Sequence, residues 1–210
     1  MKYSPTIRFP VILAAALLAA APLRAADQWV KYQAQPEGSK IKIDGTSTIH
    51  DWTVECNLVP GTMELDASFD SDLKTLKVQP KVEVSIPVRQ LKSGKKPMDA
   101  VMQDAMKMKD HPKIEYRLLE LTPKSASGSK YEFDAKGALT VSGVTRTNTM
   151  PVTMERLDKT KIKVTGVTKM KMTDHGIKPP APEMALGLIK TGDDVKLTFE
   201  WTTIAATEAK

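Results

Sequence analysis

Three histidines, one cysteine and 25 carboxylates are the groups through which this chain could do acid–base, metal or nucleophilic chemistry. His50 and Asp51 are adjacent, the nearest thing to an acid–base pair. The β-branched run around them reads as a strand, however, and strand neighbours point to opposite faces. His111 follows an apolar helical pattern and His175 lies in a turn, so the three imidazoles have none of the spacings that hold zinc. Each reads more simply as structural or solvent-facing. The sequence holds no Gly-x-Ser-x-Gly, phosphate-loop, dinucleotide or paired-cysteine motif. Asp and Glu mostly alternate with apolar residues, as on a solvated outer face. Cys56 has no second cysteine to pair with. A buried, inert thiol is its simplest reading, an intermolecular disulfide the other. No catalytic constellation, metal site or cofactor site emerges, which points to a non-enzymatic role.

The first residues describe an address rather than a fold. Lys2 and Arg8 precede an unbroken apolar run at 11–21, and Leu23-Arg24-Ala25-Ala26 offers small residues for cleavage. This is the layout of a secretory signal peptide over 1–25, with a core too short to span a bilayer comfortably. Residues 26–210 would form one exported domain with no membrane segment left after cleavage. Its length, roughly 185 residues, suits a single core. Removing Lys2, Arg8 and Arg24 takes the basic residues from 31 to 28 against 25 acidic, so the formal net charge falls from +6 to +3. The charges are interspersed, with no basic arm, which leaves a nucleic-acid role without support.

A period of two dominates the rest. Residues 131–141 carry Tyr131, Phe133, Leu139 and Val141 at odd positions, Ser142-Gly143 turns the chain, and Met150, Val152 and Met154 repeat the alternation. That is an antiparallel hairpin with one buried face. Pro151 cannot donate to a ladder and predicts a bulge. Further strands are expected at 29–35, at 39–56 with a break or bulge near Gly45, and at 62–69, with 73–78 leading to the next. Others follow at 81–89, 113–121, 161–172 and 195–202, with a polar loop over 122–129. In 161–172 the apolar row is interrupted by Gly166 and Thr168, which either leaves room in the interior or marks a close approach of strands.

One stretch changes period. Met98, Val101, Met102, Ala105 and Met106 recur at three and four, predicting an amphipathic helix over 97–109 with Pro97 near its start. Its Met-rich face could line a flexible cavity or pack on the sheet. Residues 174–182 are irregular, and the apolar run 184–189 between polar strands has the character of a lid or rim. Nine or ten short strands and one helix make the chain mainly β, an antiparallel barrel or sandwich. A barrel of about eight strands can enclose an apolar ligand, whereas a sandwich has a dry core.

Several pieces, in order, carry a resemblance. They are Gly45-Thr-Ser-Thr-Ile-His-Asp-Trp52, Ser93-Gly-Lys-Lys-Pro-Met98, His111-Pro-Lys-Ile-Glu-Tyr116 and Gly137-Ala-Leu-Thr-Val-Ser-Gly-Val-Thr-Arg146. Met172-Thr-Asp-His-Gly-Ile-Lys-Pro-Pro180 and Thr191-Gly-Asp-Asp-Val195 complete the set. Together they resemble the YceI-like family of exported, lipocalin-like proteins. His175 departs from the pattern, which more often has an aromatic residue before the glycine. The resemblance implies a single antiparallel barrel binding an amphiphilic polyisoprenoid-type lipid, such as a quinone or prenyl lipid, in the periplasm or outside the cell. On that reading the shared-face rows supply the lining: Ile43, Val84, Ile86, Tyr116, Phe133, Val141, Val164, Met170, Phe199 and Trp201, with Met102 and Met106 closing one end. A bound lipid would be ligand, not cofactor. The alternative is a secreted structural or interaction module with a dry core. A homodimer is compatible with the sequence, which names no membrane-protein partner.

Overall fold

The computed structural model describes residues 29–181 and 189–206. The signal-peptide expectation for 1–25 and most of the 184–189 run lie outside these residues. Ten strands follow in order: β1 (Trp29–Ala34), β2 (Lys40–Ser47), β3 (Trp52–Cys56), β4 (Gly61–Asp66), β5 (Lys81–Pro87), β6 (Lys113–Ser127), β7 (Lys130–Val141), β8 (Val144–Arg156), β9 (Lys161–Lys171) and β10 (Thr191–Ala205). Helix α1 (Ala67–Ser71) follows β4, and α2 (Lys96–Ala105) lies between β5 and β6. From β4 to β10 most strands pair with their sequence neighbours, and β1 joins β4 to β10. The result is a closed antiparallel barrel of eight strands, β1 and β4 to β10, which settles barrel against sandwich.

β2 and β3 form a hairpin outside that ring of eight. Strand β10 makes this arrangement work by changing partners along its length. On one side it pairs β9 from Asp194 to Ile204; on the other it pairs β2 from Thr191 to Glu200, then β1 from Thr203 to Ala205. The β2–β3 hairpin therefore continues the wall where β1 stops. Two 2.8 Å backbone bonds between Glu55 and Lys92 tie its far edge to the segment after β5.

The opening hairpin forms as its alternation demands. Ser142 (φ 52°) and Gly143 (φ 79°) are both left-handed, the geometry of a two-residue I′ turn. The β7–β8 register runs without slip from Val141–Val144 to Lys130–Glu155, so the predicted bulge at Pro151 is absent. Counting from the turn puts Pro151 on a non-hydrogen-bonded pair with Asp134, so its nitrogen faces β9. There the ladder begins only at Val152–Gly166, and no donor is missed.

Other departures have local causes. Asp66 accepts the Ser68 amide at 3.0 Å and caps α1, ending the strand expected over 62–69 and adding a second helix. Residues 73–78 are a turn followed by irregular chain, with Leu73 buried. β2 continues past Gly45 to Ser47, and its ladder with β10 shifts register there, between Val195–Gly45 and Thr191–Ser47, as expected of a bulge near Gly45. The reversal lies at 48–51, where Ser47 Oγ accepts the His50 amide. β6 continues to Ser127, so the loop placed at 122–129 shrinks to the Gly128-Ser129 turn. Two register shifts, at Leu118/Glu120 and Pro123/Ser125, absorb Pro123. Finally α2 ends at Ala105, short of 109, because Lys107 turns left-handed (φ 53°).

Candidate functional site: the barrel interior

Paired residues on antiparallel strands share a face, and here the inner face encloses a cavity of about 820 Å³. Strands β2, β3 and β5 contribute Ile41, Ile43, Val54, Val84 and Ile86. β6 to β8 add Tyr116, Val141, Met150 and Met154, and β9 and β10 add Val164, Met170, Phe199 and Trp201. Met98 and Met102 of α2 and Met106 just past its end face the same space. Eleven of the twelve residues proposed from sequence thus border one cavity. Phe133 does not. It is buried at the opposite end, its ring edge-on to Phe69 with centroids 5.9 Å apart.

Three glycines explain why the barrel is hollow. A Cβ on Gly45 would lie 2.1 Å from the Trp52 ring, one on Gly137 2.3 Å from Tyr116, and one on Gly166 2.6 Å from Phe199. Each aromatic ring lies flat against the wall over a glycine instead of crossing the lumen. Gly166 therefore marks a close approach, and that approach is what leaves the room.

The two ends differ. At the base, α1 carries Phe69 into a plug with Tyr32, Leu65 and Leu73, all within 2% of full burial. Beside it Arg156 donates to Asp70 Oδ1 at 2.8 Å and to Tyr32 Oη at 3.2 Å, and Tyr32 Oη donates to Asp70 Oδ1 at 2.5 Å. Burial and the Asp70 carboxylate push the Tyr32 phenol up, so it stays a donor. At the mouth, cavity-lining Ile49 is 61% exposed and Val101 37%, so the lumen opens to solvent there. Lys95, Lys171 and His50 stand on the same border.

The mouth's furniture is held by polar contacts. Asp99 in the first turn of α2 accepts the Ser93 amide at 2.7 Å and its hydroxyl at 2.6 Å, with Lys92 at 3.9 Å. Burial opposes its ionisation, but the Ser93 bonds and the Lys92 ammonium hold its carboxyl below the usual carboxylate value. The charged form therefore supports the fold above about pH 4, and that support fades as pH falls through the lowered native value. Asp99→Asn should cost about 1 kcal/mol at neutral pH. In thermal melts across pH the gap to wild type should close in acid; a gap independent of pH would show that the charge is immaterial.

Across the mouth, β8 and β9 part company, since their ladder covers only Val152–Arg156. The wedge is filled by the turn 173–177. His175 is 4% exposed, its Nδ1 is 3.1 Å from Val144 O, and Arg146 Nε donates to Asp174 O at 2.8 Å. Ile177, Pro180 and Ile189 border the cavity, the last being the final residue of the 184–189 run expected to form a lid or rim.

The remaining chemistry-bearing residues have structural places. His50 lies in an exposed loop, not on a strand with Asp51, and His111 packs against Gly143. Among the described residues, no three His, Cys, Asp or Glu side chains gather as metal ligands. Cys56 is 1% exposed, donates to Leu58 O at 3.1 Å, and burial pushes its thiol up. Trp201, also buried, donates its Nε1 proton to Val59 O at 3.0 Å.

Many lining residues were not among the twelve, Ile41, Val54, Val59 and Met63 included, and one of those missed is Asn148. It is polar and breaks the apolar row, yet counting pairs back from Ser142-Gly143 sets it opposite Gly137, on the inner face.

No curated protein matches the chain significantly in sequence. Several solved structures share its fold, two of them as follows. BcnA of Burkholderia cenocepacia is 18% identical, with a TM-score of 0.63 over 83% of this chain and 99% of its own. A polyisoprenoid binding domain from Saccharophagus degradans, implicated in plant cell wall breakdown, is 14% identical, with a TM-score of 0.65 over 84% and 99%. The profile of the YceI-like domain matches residues 32–203, and the chain belongs to the YceI-like family.

Proposed function

We propose that this protein is a non-catalytic binder or carrier of a long amphiphilic lipid of polyisoprenoid type, working in the periplasm or outside the cell. The observation that carries this reading is the apolar cavity of about 820 Å³, open at the mouth and plugged at the base. Each CH₂ group moved from water into such a lumen contributes about 0.8 kcal/mol, so an apolar chain gains affinity without charged anchors. A dry structural module would instead fill its barrel with side chains, since empty interior space costs about 24 cal/mol per Å³. The name of the Saccharophagus domain and the apolar run at 11–21 support ligand class and export respectively.

The test is to express the full chain with its own leader in a bacterium, purify it without detergent and extract it for mass spectrometry. A stoichiometric isoprenoid is the expected result. Protein that copurifies with no lipid, and takes up none from vesicles doped with prenyl alcohols, would remove the proposal.

A further inference from the structure

The lumen is not uniformly apolar. Tyr116 Oη and Asn148 Oδ1 are both buried, both belong to lining residues, and neither has a hydrogen-bonding partner among the described residues. A buried polar atom left unmatched costs roughly 1–3 kcal/mol, and two together in one apolar cavity call for an explanation. They are also neighbours. The Tyr116 ring lies over Gly137, its hydroxyl 2.4 Å from where a Cβ would be, and Gly137 is the direct cross-strand partner of Asn148. Both groups thus flank one glycine on the inner face, yet they do not bond to each other. A third unmatched atom, Ser142 Oγ, sits in the hairpin turn and does not border the cavity.

We propose that Tyr116 and Asn148 form a head-group subsite for a neutral, hydroxyl-bearing terminus of the lipid, and that the site disfavours phosphate esters. This rests on the lipid-carrier reading. The two atoms are complementary: the phenol donates and the amide oxygen accepts, and a hydroxyl can answer both at once. Burial pushes the Tyr116 phenol up to about 12, so it keeps its proton throughout the physiological range. An ionised phosphate only accepts. It would satisfy Tyr116, face the Asn148 oxygen with another oxygen, and lose its hydration in an apolar lumen. The cationic lining residues, Lys95 and Lys171, stand at the mouth, at the start of α2 and the end of β9. Gly137 lies four residues along β7 from the turn that marks that rim, roughly 13 Å of strand. The subsite is therefore inside the lumen, with the apolar length toward the base left for the chain.

The experiment compares three probes on delipidated protein: geranylgeraniol, geranylgeranyl diphosphate and the hydrocarbon squalene. Affinities are read by displacement of a fluorescent fatty alcohol for wild type, Tyr116→Phe, Asn148→Leu and the double variant. Wild type should bind geranylgeraniol more tightly than the other two. Each substitution should weaken geranylgeraniol by about three- to tenfold and leave squalene within twofold. The double variant should no longer distinguish alcohol from hydrocarbon, and it should melt no lower than wild type when delipidated, because it removes both unmatched oxygens from the lumen. Three results would overturn the subsite while leaving the carrier reading intact: equal binding of all three probes by wild type, preference for the diphosphate, or undiminished alcohol binding by the double variant. Failure of wild type to bind any probe would overturn both.

Discussion

Phe69→Ala should lower the stability of the delipidated protein by about 3–5 kcal/mol, the usual cost of truncating a buried phenylalanine. Phe69 is fully buried, and its ring meets Phe133 edge to face at 5.9 Å in the plug that closes the base. Truncation removes that contact and extends the lumen toward α1, a helix of only five residues that could not stand without tertiary packing. For a domain of this size the melting temperature should fall by about 6–20 °C. Delipidation matters because a bound ligand raises apparent stability by mass action. The comparison belongs in urea and thermal unfolding side by side. A loss under about 1 kcal/mol would show that the base is not sealed by this side chain.

Val164→Trp should abolish high-affinity lipid uptake while leaving the barrel folded. Val164 points into the cavity from β9, between Met154 on β8 and Trp201 on β10 in the register. An indole there occupies lumen that a ligand chain would fill. Displacing on the order of five CH₂ groups forfeits about 4 kcal/mol, roughly a thousandfold in affinity. The measurement pairs a lipid-binding titration with a melt of the same sample. If binding survives and stability collapses, Val164 sits in packed core, and the cavity is not the binding site.

Much of this was legible in the sequence because a strand's period ties each apolar row to one face. The rows at Val84 and Ile86, at Val164 and Met170, and at Phe199 and Trp201 needed only alternation to be read as interior. Phe133 obeys the same period yet misses the cavity, because alternation assigns a face and says nothing about height along a barrel. α1 was hidden since its five residues show less than two turns of periodicity, and only the Asp66 cap betrays it. Pro151 misled for the opposite reason. Its missing donor matters only where a ladder asks for one, and where the β8–β9 ladder starts is a property of the whole barrel. Asn148 shows the same limit: a polar residue in an apolar row looks like an error until the turn fixes its partner.

The partner exchange of β10 also orders events in time. Tyr32 pairs with Ala205, so the first strand of the barrel is closed by the last. The hairpins from β6 through β9 join neighbours and can form as soon as each is made. The ring itself, and with it the β2–β3 wall that also needs β10, must wait for Thr191–Ala205. Contacts spanning nearly the whole chain are slow to form, because the loop they close must be ordered before it is rewarded. A polypeptide built this way stays open until β10 has been made, and removing that strand should leave a curled sheet with bare apolar edges rather than a smaller barrel.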